Sequence, residues 1–194
     1  DTFENGLPRT IVFWAMGLYI LLYVWVKLKR LTIRHHPYTV SAVEPAANDA
    51  YRLHAEPNTR EIKSHAPGQF AFITIKSKHI SREEHPFTIA AAPTMRPEIE
   101  FVIRTSGDWT TKIGRVRPGD LVSIDGPYGL FTHLRCRKAR EIVMIAGGIG
   151  IYALMSMLRH MADTGDQRKI TLIWSNRTRE HIIFPDAFKD LESR

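Results

Sequence analysis

From Ile11 to Val26 the chain is an unbroken apolar and aromatic run that carries no charge. Apolar side chains recur on every side of a helix drawn through it, so the pattern is not that of a solvated amphipathic helix. With Thr10 and Lys27 at its ends such a helix spans about 24–28 Å, close to a bilayer hydrocarbon core of roughly 30 Å. Tyr23 and Trp25 sit where an aromatic belt lies, and Lys27, Lys29, Arg30 and Arg34 follow at once. The sequence thus predicts a membrane helix and basic collar over residues 1–34, with everything after it cytoplasmic by the positive-inside rule. A signal peptide would start basic and offer a small-residue cleavage site, whereas this start carries Asp1 and Glu4. A buried core helix would not end in such a collar.

After the short linker His35-His36-Pro37 the pattern changes to period two, with Pro, Gly, Asn and Asp at the breaks. Strands are expected at Tyr38–Val43, Ala50–Ala55, Gln69–Ile75, Phe87–Ala90, Ile99–Arg104 and Leu121–Ile124. Six short strands at near-regular spacing predict a small antiparallel β-barrel over residues 35–136. A helix-compatible stretch, Trp109–Val116, interrupts them before the turn Arg117-Pro118-Gly119-Asp120. Beyond residue 137 the grammar changes again. An apolar run Glu141–Ala146, a glycine turn Gly147-Gly148-Ile149-Gly150, a helical pattern Ala153–Ala162 and a second apolar run Lys169–Trp174 follow, then a weaker helical stretch. Strand, glycine turn, helix, strand opens a parallel α/β domain, of which residues 137–194 form a partial, Rossmann-like nucleotide-binding unit. The start without Met and the lone helix read as a processed product or a fragment of something longer.

Composition narrows the classes. A chain of 194 residues that is 44% hydrophobic and 24% charged is globular, which excludes a disordered or collagen-like protein. A mean hydropathy of −0.20 excludes a polytopic membrane protein. The single cysteine, Cys136, excludes a disulfide framework and a cysteine-rich zinc site, and the nine histidines show no metal-ligand spacing. The net charge of +7 admits an anionic partner, but the basic stretch Arg135–Arg140 lacks interleaved aromatics, so nucleic acid is not expected.

The clearest chemistry lies in Gly148-Ile-Gly150-Ile-Tyr-Ala153, which satisfies G-x-G-x-x-A between a strand and a helix. Glycines there let the backbone approach a pyrophosphate lying on the helix N-terminus. The second α/β strand ends in Trp174-Ser175-Asn176-Arg177, with no Asp or Glu to read a ribose 2′-hydroxyl. Ser175 and Arg177 suit a 2′-phosphate and hence NADPH, while an ordinary solvated arginine fits the same letters equally well. In His85-Pro86-Phe87-Thr88, an aromatic beside a hydroxyl can stack on a flat ring and bond its heteroatoms, although both are ordinary strand residues.

Taken in order, His85-Pro86-Phe87-Thr88, Ser106-Gly107-Asp108-Trp109-Thr110-Thr111-Lys112-Ile113, Gly126-Pro127-Tyr128-Gly129 and Gly147-Gly148-Ile149-Gly150-Ile151 resemble the flavin and nicotinamide domains of the ferric reductase and NADPH oxidase superfamily, within the ferredoxin–NADP reductase fold. The resemblance covers nearly the whole chain. It implies that His85, Pro86, Phe87 and Thr88 line the FAD isoalloxazine, with Phe87 against the ring and Thr88 near its reactive nitrogen. It also implies that Ile103 and Arg104 touch the flavin and its phosphate side. Gly107, Thr110 and Thr111 then hold the pyrophosphate, although Thr110 and Thr111 also read as simple helix caps. Gly147, Gly148, Gly150 and Ile151 receive the nicotinamide dinucleotide. The membrane helix corresponds to the last helix of the family's haem-bearing domain, whose ligand histidines lie on upstream helices, so no haem is assigned to this segment.

Two departures qualify the resemblance. The family's Thr-Pro after Gly-Gly-Ile-Gly-Ile is Tyr152-Ala153 here, and the chain stops before the family's second nucleotide motif. The expected function is a membrane-anchored flavoprotein electron-transfer module, passing a hydride from NAD(P)H to FAD and single electrons to a membrane haem or another acceptor. Its expected partners are membrane lipid and a haem-bearing segment or partner subunits. The alternative is a non-catalytic, reductase-like subunit that anchors or assembles a larger membrane complex.

Overall fold

The computed structural model describes residues 6–33, 37–47, 49–59, 61–62, 64–178, 188 and 190–191. The linker histidines His35 and His36 and most of the last helical stretch fall outside them. The chain divides into two units, Asp1–His35 and His36–Arg194.

The first unit is the helix α1, Gly6–Ile33. Within it Arg9–Leu28 is long and apolar enough to cross a membrane, with a mean hydropathy of 1.9, and its large apolar side chains are exposed.

The second unit opens with six antiparallel strands: β1 (Pro37–Ala47), β2 (Ala50–Pro57), β3 (Phe70–Lys76), β4 (Glu84–Thr88), β5 (Ile99–Arg104) and β6 (Leu121–Tyr128). Their order in the sheet is β4-β3-β6-β1-β2-β5. The expected barrel is only half closed, because the edge strands β4 and β5 meet through a single bridge, Ile89 to Phe101. β4 begins upstream of its expected position, with Glu84 and His85 paired to Thr74 and Ile73. Pro86 inside it is tolerated because an edge strand need not donate from every residue. Where a helix was expected before Val116, the chain forms a six-residue 3-10 turn, Thr110–Arg115.

Alternation along β3 buries Ala71, Ile73 and Ile75 and leaves Phe70, Phe72 and Thr74 half-buried, as a one-sided sheet requires. β5 departs from this pattern, with Ile99 through Ile103 all buried. Phe101 and Ile103 fill the barrel core, while Val102 faces the other way, into a second apolar cluster shared with the nucleotide unit.

That nucleotide unit is β7 (Glu141–Gly147), a one-turn 3-10 segment over Gly148–Gly150, α2 (Ile151–Asp163) and β8 (Lys169–Ser175). β7 and β8 pair in parallel and in register, from Glu141 with Lys169 to Gly147 with Ser175. Helix α2 buries Met155, Met157 and Met161 in the cluster that also holds Ala50, Ala90 and Val102 of the half-barrel. On the opposite side of β7, Val143 and Ile145 are 62% and 71% exposed.

Candidate functional site

Two sites emerge, one on the half-barrel and one between it and the nucleotide unit. The first forms where β4 meets the turn after β5. Side chains alternate along β4, so His85 and Phe87 point to one side and Pro86 and Thr88 to the other, where Phe72 and Phe70 are their cross-strand partners. On the first side stands Trp109. Its ring lies 4.5 Å from that of His85 and 6.0 Å from that of Phe87 (centroid distances), and it is stacked on Phe87. Trp109 Nε1 donates to Ser81 O at 2.8 Å, which fixes the indole. His85 Nε2 lies 3.1 Å from Glu83 Oε2. The Glu83 carboxyl is held below its usual range by a hydrogen bond from Ser81 and then by His85.

Trp109 also belongs to the turn that carries the second motif. Thr110 Oγ1 accepts from Ser106 N and Gly107 N, each at 2.9 Å, and donates to Gly107 O at 3.1 Å. That hydroxyl is engaged in closing the turn, as a cap would be. Thr111 is exposed, and a side chain at Gly107 would meet no atom within 4 Å. The two flavin motifs, twenty residues apart in sequence, therefore converge on one indole. A half-exposed phenyl ring, a supporting indole and an open glycine turn suit a flat heteroaromatic with an attached pyrophosphate, and FAD is such a group. Ile103 is fully buried in the barrel core, leaving only its backbone for a ligand.

The second site is a cavity of 330 Å³ lined by Asp49, Ala50 and Arg104 from the half-barrel and by Gly147, Gly148, Ile149, Tyr152, Ser175, Asn176 and Arg177 from the nucleotide unit. Cross-strand pairing explains the barrel side. Ala50 lies opposite Arg104, so the preceding Asp49 reaches the Arg104 side chain. Arg104 Nε donates to Asp49 Oδ2 at 2.5 Å, and Thr105 N donates to Asp49 O at 2.7 Å.

On the nucleotide side, Gly148 has a φ of +48°, a conformation that favours glycine. Side chains at Gly147, Gly148 or Gly150 would meet nothing within 4 Å, so the space over the turn is open to a ligand. Trp174 Nε1 donates to Gly148 O at 2.9 Å and ties the end of β8 to the turn. No side chain caps the start of α2 and its first turn holds no acid, so its dipole favours an anion, although the Ile151 N–H is engaged by Gly148 O. Asn176 Nδ2 is a buried donor with no partner among the described residues. Two arginines, an uncapped helix start and an orphaned amide donor fit the phosphates and polar groups of a nicotinamide dinucleotide.

Of the residues singled out in the sequence, Gly147, Gly148, Ser175, Arg177 and Arg104 meet in this cavity. His85, Phe87, Gly107, Thr110 and Thr111 gather instead around Trp109. Ile151 is fully buried and its N–H donates to Gly148 O, so it closes the turn and offers a ligand neither its side chain nor that donor. Sequence reasoning passed over Asp49, Asn176 and the supporting role of Trp109. Asp49 sits in an ordinary β-turn and gave no signal, whereas Trp109 lay inside a motif already in hand. Tyr152 is 3% exposed, and burial, ahead of the charges around it, pushes its phenol up to about 12.

Comparison with known proteins finds a domain model over each half of the second unit. A model of the FAD-binding domain matches residues 47–132, and one of the oxidoreductase NAD-binding domain matches 144–194. The reductase component of propane 2-monooxygenase from Mycolicibacterium goodii is 32% identical over 155 residues, covering 78% of this chain and 43% of that protein. The sulfhydrogenase 2 subunit gamma of Pyrococcus furiosus is 34% identical over 120 residues, 62% of this chain and 40% of that subunit. The chain thus spans less than half the length of these curated relatives. In fold it is similar to the flavohem-like FAD/NAD-binding domain of nitric oxide dioxygenase from Vibrio cholerae O1 biovar El Tor, with a TM-score of 0.71 at 17% identity, covering 81% of this chain and 69% of that one. Residues 47–132 thus carry an FAD-binding domain and residues 144–194 an oxidoreductase NAD-binding domain, on the fold seen in the ferredoxin NADP+ reductase of Neisseria gonorrhoeae, with a TM-score of 0.66 at 18% identity, covering 79% of this chain and 62% of that one.

Proposed function

We propose that this chain is the flavin and nicotinamide part of a membrane-anchored electron-transfer reductase of the ferric reductase and NADPH oxidase type. The observation that carries the reading is the cavity in which Arg104 of the flavin-binding sheet faces Gly147 and Gly148 of the nucleotide turn. Bound at the two sites described above, a nicotinamide dinucleotide would supply a hydride and FAD would take it up and pass single electrons on to an acceptor such as haem or an iron–sulfur centre.

The protein's own part is binding and orientation. Phe87, backed by Trp109, supplies the stacking face, and the Gly107 turn leaves room for a pyrophosphate. The glycine turn and the α2 N-terminus hold the dinucleotide phosphates. Arg104 and Arg177 add positive charge from the two sides of the cavity, and Arg177 with Ser175 favours the 2′-phosphate of NADPH. No side chain is required as nucleophile or general acid. The apolar span Arg9–Leu28 supports an anchor, the basic residues Lys27, Lys29, Arg30 and Arg34 support domains on the cytoplasmic side, and a reductase component and an enzyme subunit among the relatives support service to a partner.

The test is an absorbance spectrum of the full chain, purified in detergent, reconstituted with FAD and given NADPH anaerobically. Flavin bands that bleach support the reading. Flavin that binds and stays oxidised with both NADPH and NADH refutes it in favour of a non-catalytic subunit. For the anchor, replacing Leu18 and Leu22 together with lysine costs about 5–7 kcal/mol of insertion at the helix centre and moves the protein from the membrane to the soluble fraction. Unchanged fractionation removes the anchor.

A further inference from the structure

The surface between α2 and the half-barrel is smooth on one side and pliable on the other. The sheet offers Ala50, Ala90 and Val102, and the helix answers with Met155, Met157 and Met161. Small side chains present few knobs, and methionines adapt to many arrangements, so this apolar contact holds α2 down without fixing its rotation or height.

Directional contacts do that instead, along one stripe of the helix. Tyr152, Ser156, Arg159 and Asp163 are spaced by four, three and four residues and so share a face. Ser156 Oγ donates to Ala91 O at 2.8 Å, in the segment following β4. Asp163 accepts from Thr94 Oγ1. Against the same stripe lies Glu100 of β5, 3% exposed. Glu100 Oε1 lies 3.5 Å from Arg52 Nε on the neighbouring strand β2, and Oε2 lies 3.8 Å from Arg159 Nη1 on α2. A buried carboxylate between two arginines is poor evidence for stability, because desolvation offsets much of the attraction. What such a group supplies is geometry, since displacing α2 separates its charges inside a low-dielectric contact.

We propose that Glu100, clamped between Arg52 and Arg159, is a positioning residue that fixes the attitude of α2 on the flavin-binding sheet and so sets the approach of a nicotinamide over the glycine turn to the flavin. The inference rests on the oxidoreductase function proposed above. Glu100 is buried and does not line the cavity. It acts through α2, whose first residues close the glycine turn and whose Tyr152 forms part of the cavity wall. Hydride transfer is steeply sensitive to donor–acceptor placement, whereas phosphate and ring binding tolerate small tilts.

The experiment compares the FAD-loaded full chain with Glu100→Gln, Glu100→Asp and Arg159→Met in single-turnover reduction by NADPH, together with hydrogen exchange of the α2 amides before dinucleotide is added. The expected result for Glu100→Gln is a limiting reduction rate lower by about tenfold or more, with the dinucleotide Kd changed by less than about threefold. Exchange speeds up along Ile151–Asp163 and not in β1–β6, and Glu100→Asp restores part of the rate. Should Glu100→Gln fail to fold, Arg159→Met removes the same contact from the partly exposed helix side and must give the same pattern. A wild-type rate in the variants overturns the proposal. So does a rate loss that follows lost FAD, or a rise in Kd with the limiting rate intact. A wild-type protein that binds FAD and is never reduced is a different failure: it removes the function itself and this inference with it.

Discussion

Trp109 lies against Phe87 with ring planes only 21° apart, although the two residues belong to different motifs and different elements. The indole is buried and bonded to Ser81 O, while Phe87 is half-buried. One ring therefore serves as a fixed backing and the other as the presented face.

Phe87→Ala removes that face. FAD affinity is expected to fall about tenfold, the equivalent of ~1.4 kcal/mol for an aromatic contact, with little change in the melting temperature. Trp109→Ala is expected to lower both, because it also opens a hole in the barrel core. Fluorescence titration of FAD into apoprotein, beside a thermal melt, separates the two variants. Equal affinity in Phe87→Ala and wild type would remove Phe87 from the site.

Arg177→Glu tests the coenzyme preference. Arg177 is exposed at the rim of the cavity, so the substitution costs little stability. It is expected to raise the Kd for NADPH by about tenfold or more, the scale of one charge-assisted hydrogen bond, and that for NADH much less. Equal effects on both coenzymes would sink the NADPH preference.

His133 makes stability depend on pH. It is 4% exposed, with its ring 5.2 Å from that of His160, and neither Nδ1 has a partner among the described residues. Burial, followed by the nearby His160 and Arg168 charges, lowers its pKa from 6.5 to about 4. Burial lowers His65 as well, despite its 3.1 Å contact with Ala91 O. Between about 4 and 6.5 the unfolded chain takes up the proton that folded His133 refuses. The His133 contribution to stability is therefore full above pH 6.5, declines as the pH falls through that window and levels off below it. Urea melts from pH 7 down to about 4 are expected to show this slope, and His133→Phe to flatten it. An unchanged slope in the variant would place the effect elsewhere.

Gly68→Ala probes the joint between the two halves of the second unit. Gly68 has a φ of +91°, and a Cβ there would collide with Met157 Cε of α2 and the carbonyl oxygen of Phe131. Left-handed strain and overpacking together are expected to cost about 2–4 kcal/mol, read as a lower urea midpoint with an unchanged slope. An alanine variant of wild-type stability would show that the joint opens freely.

Much of this architecture was legible because local rules govern it. β5 runs over the residues its pattern indicated, Ile99–Arg104, and α2 and β8 lie within a residue or two of their apolar runs. Turn residues misled the reading where tertiary pairing overrode them. Gly126 and Pro127 look like a strand end, yet β6 continues through them to Tyr128, which pairs with Phe70. Pro86 looks like a strand break, yet it sits within an edge strand. The barrel was legible but its degree of closure was not, since six alternating segments do not say whether the edge strands meet.

The sequence by itself determined the apolar span Arg9–Leu28, the alternation of the half-barrel and the glycine turn before α2, because side-chain periodicity and glycine's conformational freedom act over a few residues. Only the tertiary structure decided that Arg104 and Asp49 face Arg177 across one cavity, that Trp109 backs Phe87, and that Glu100 is buried between Arg52 and Arg159. Those relationships join residues from about twenty to more than a hundred positions apart. They arise from strand register and from the packing of α2 on the sheet, and no local pattern in the chain encodes the distance between two elements that meet only when the molecule is folded.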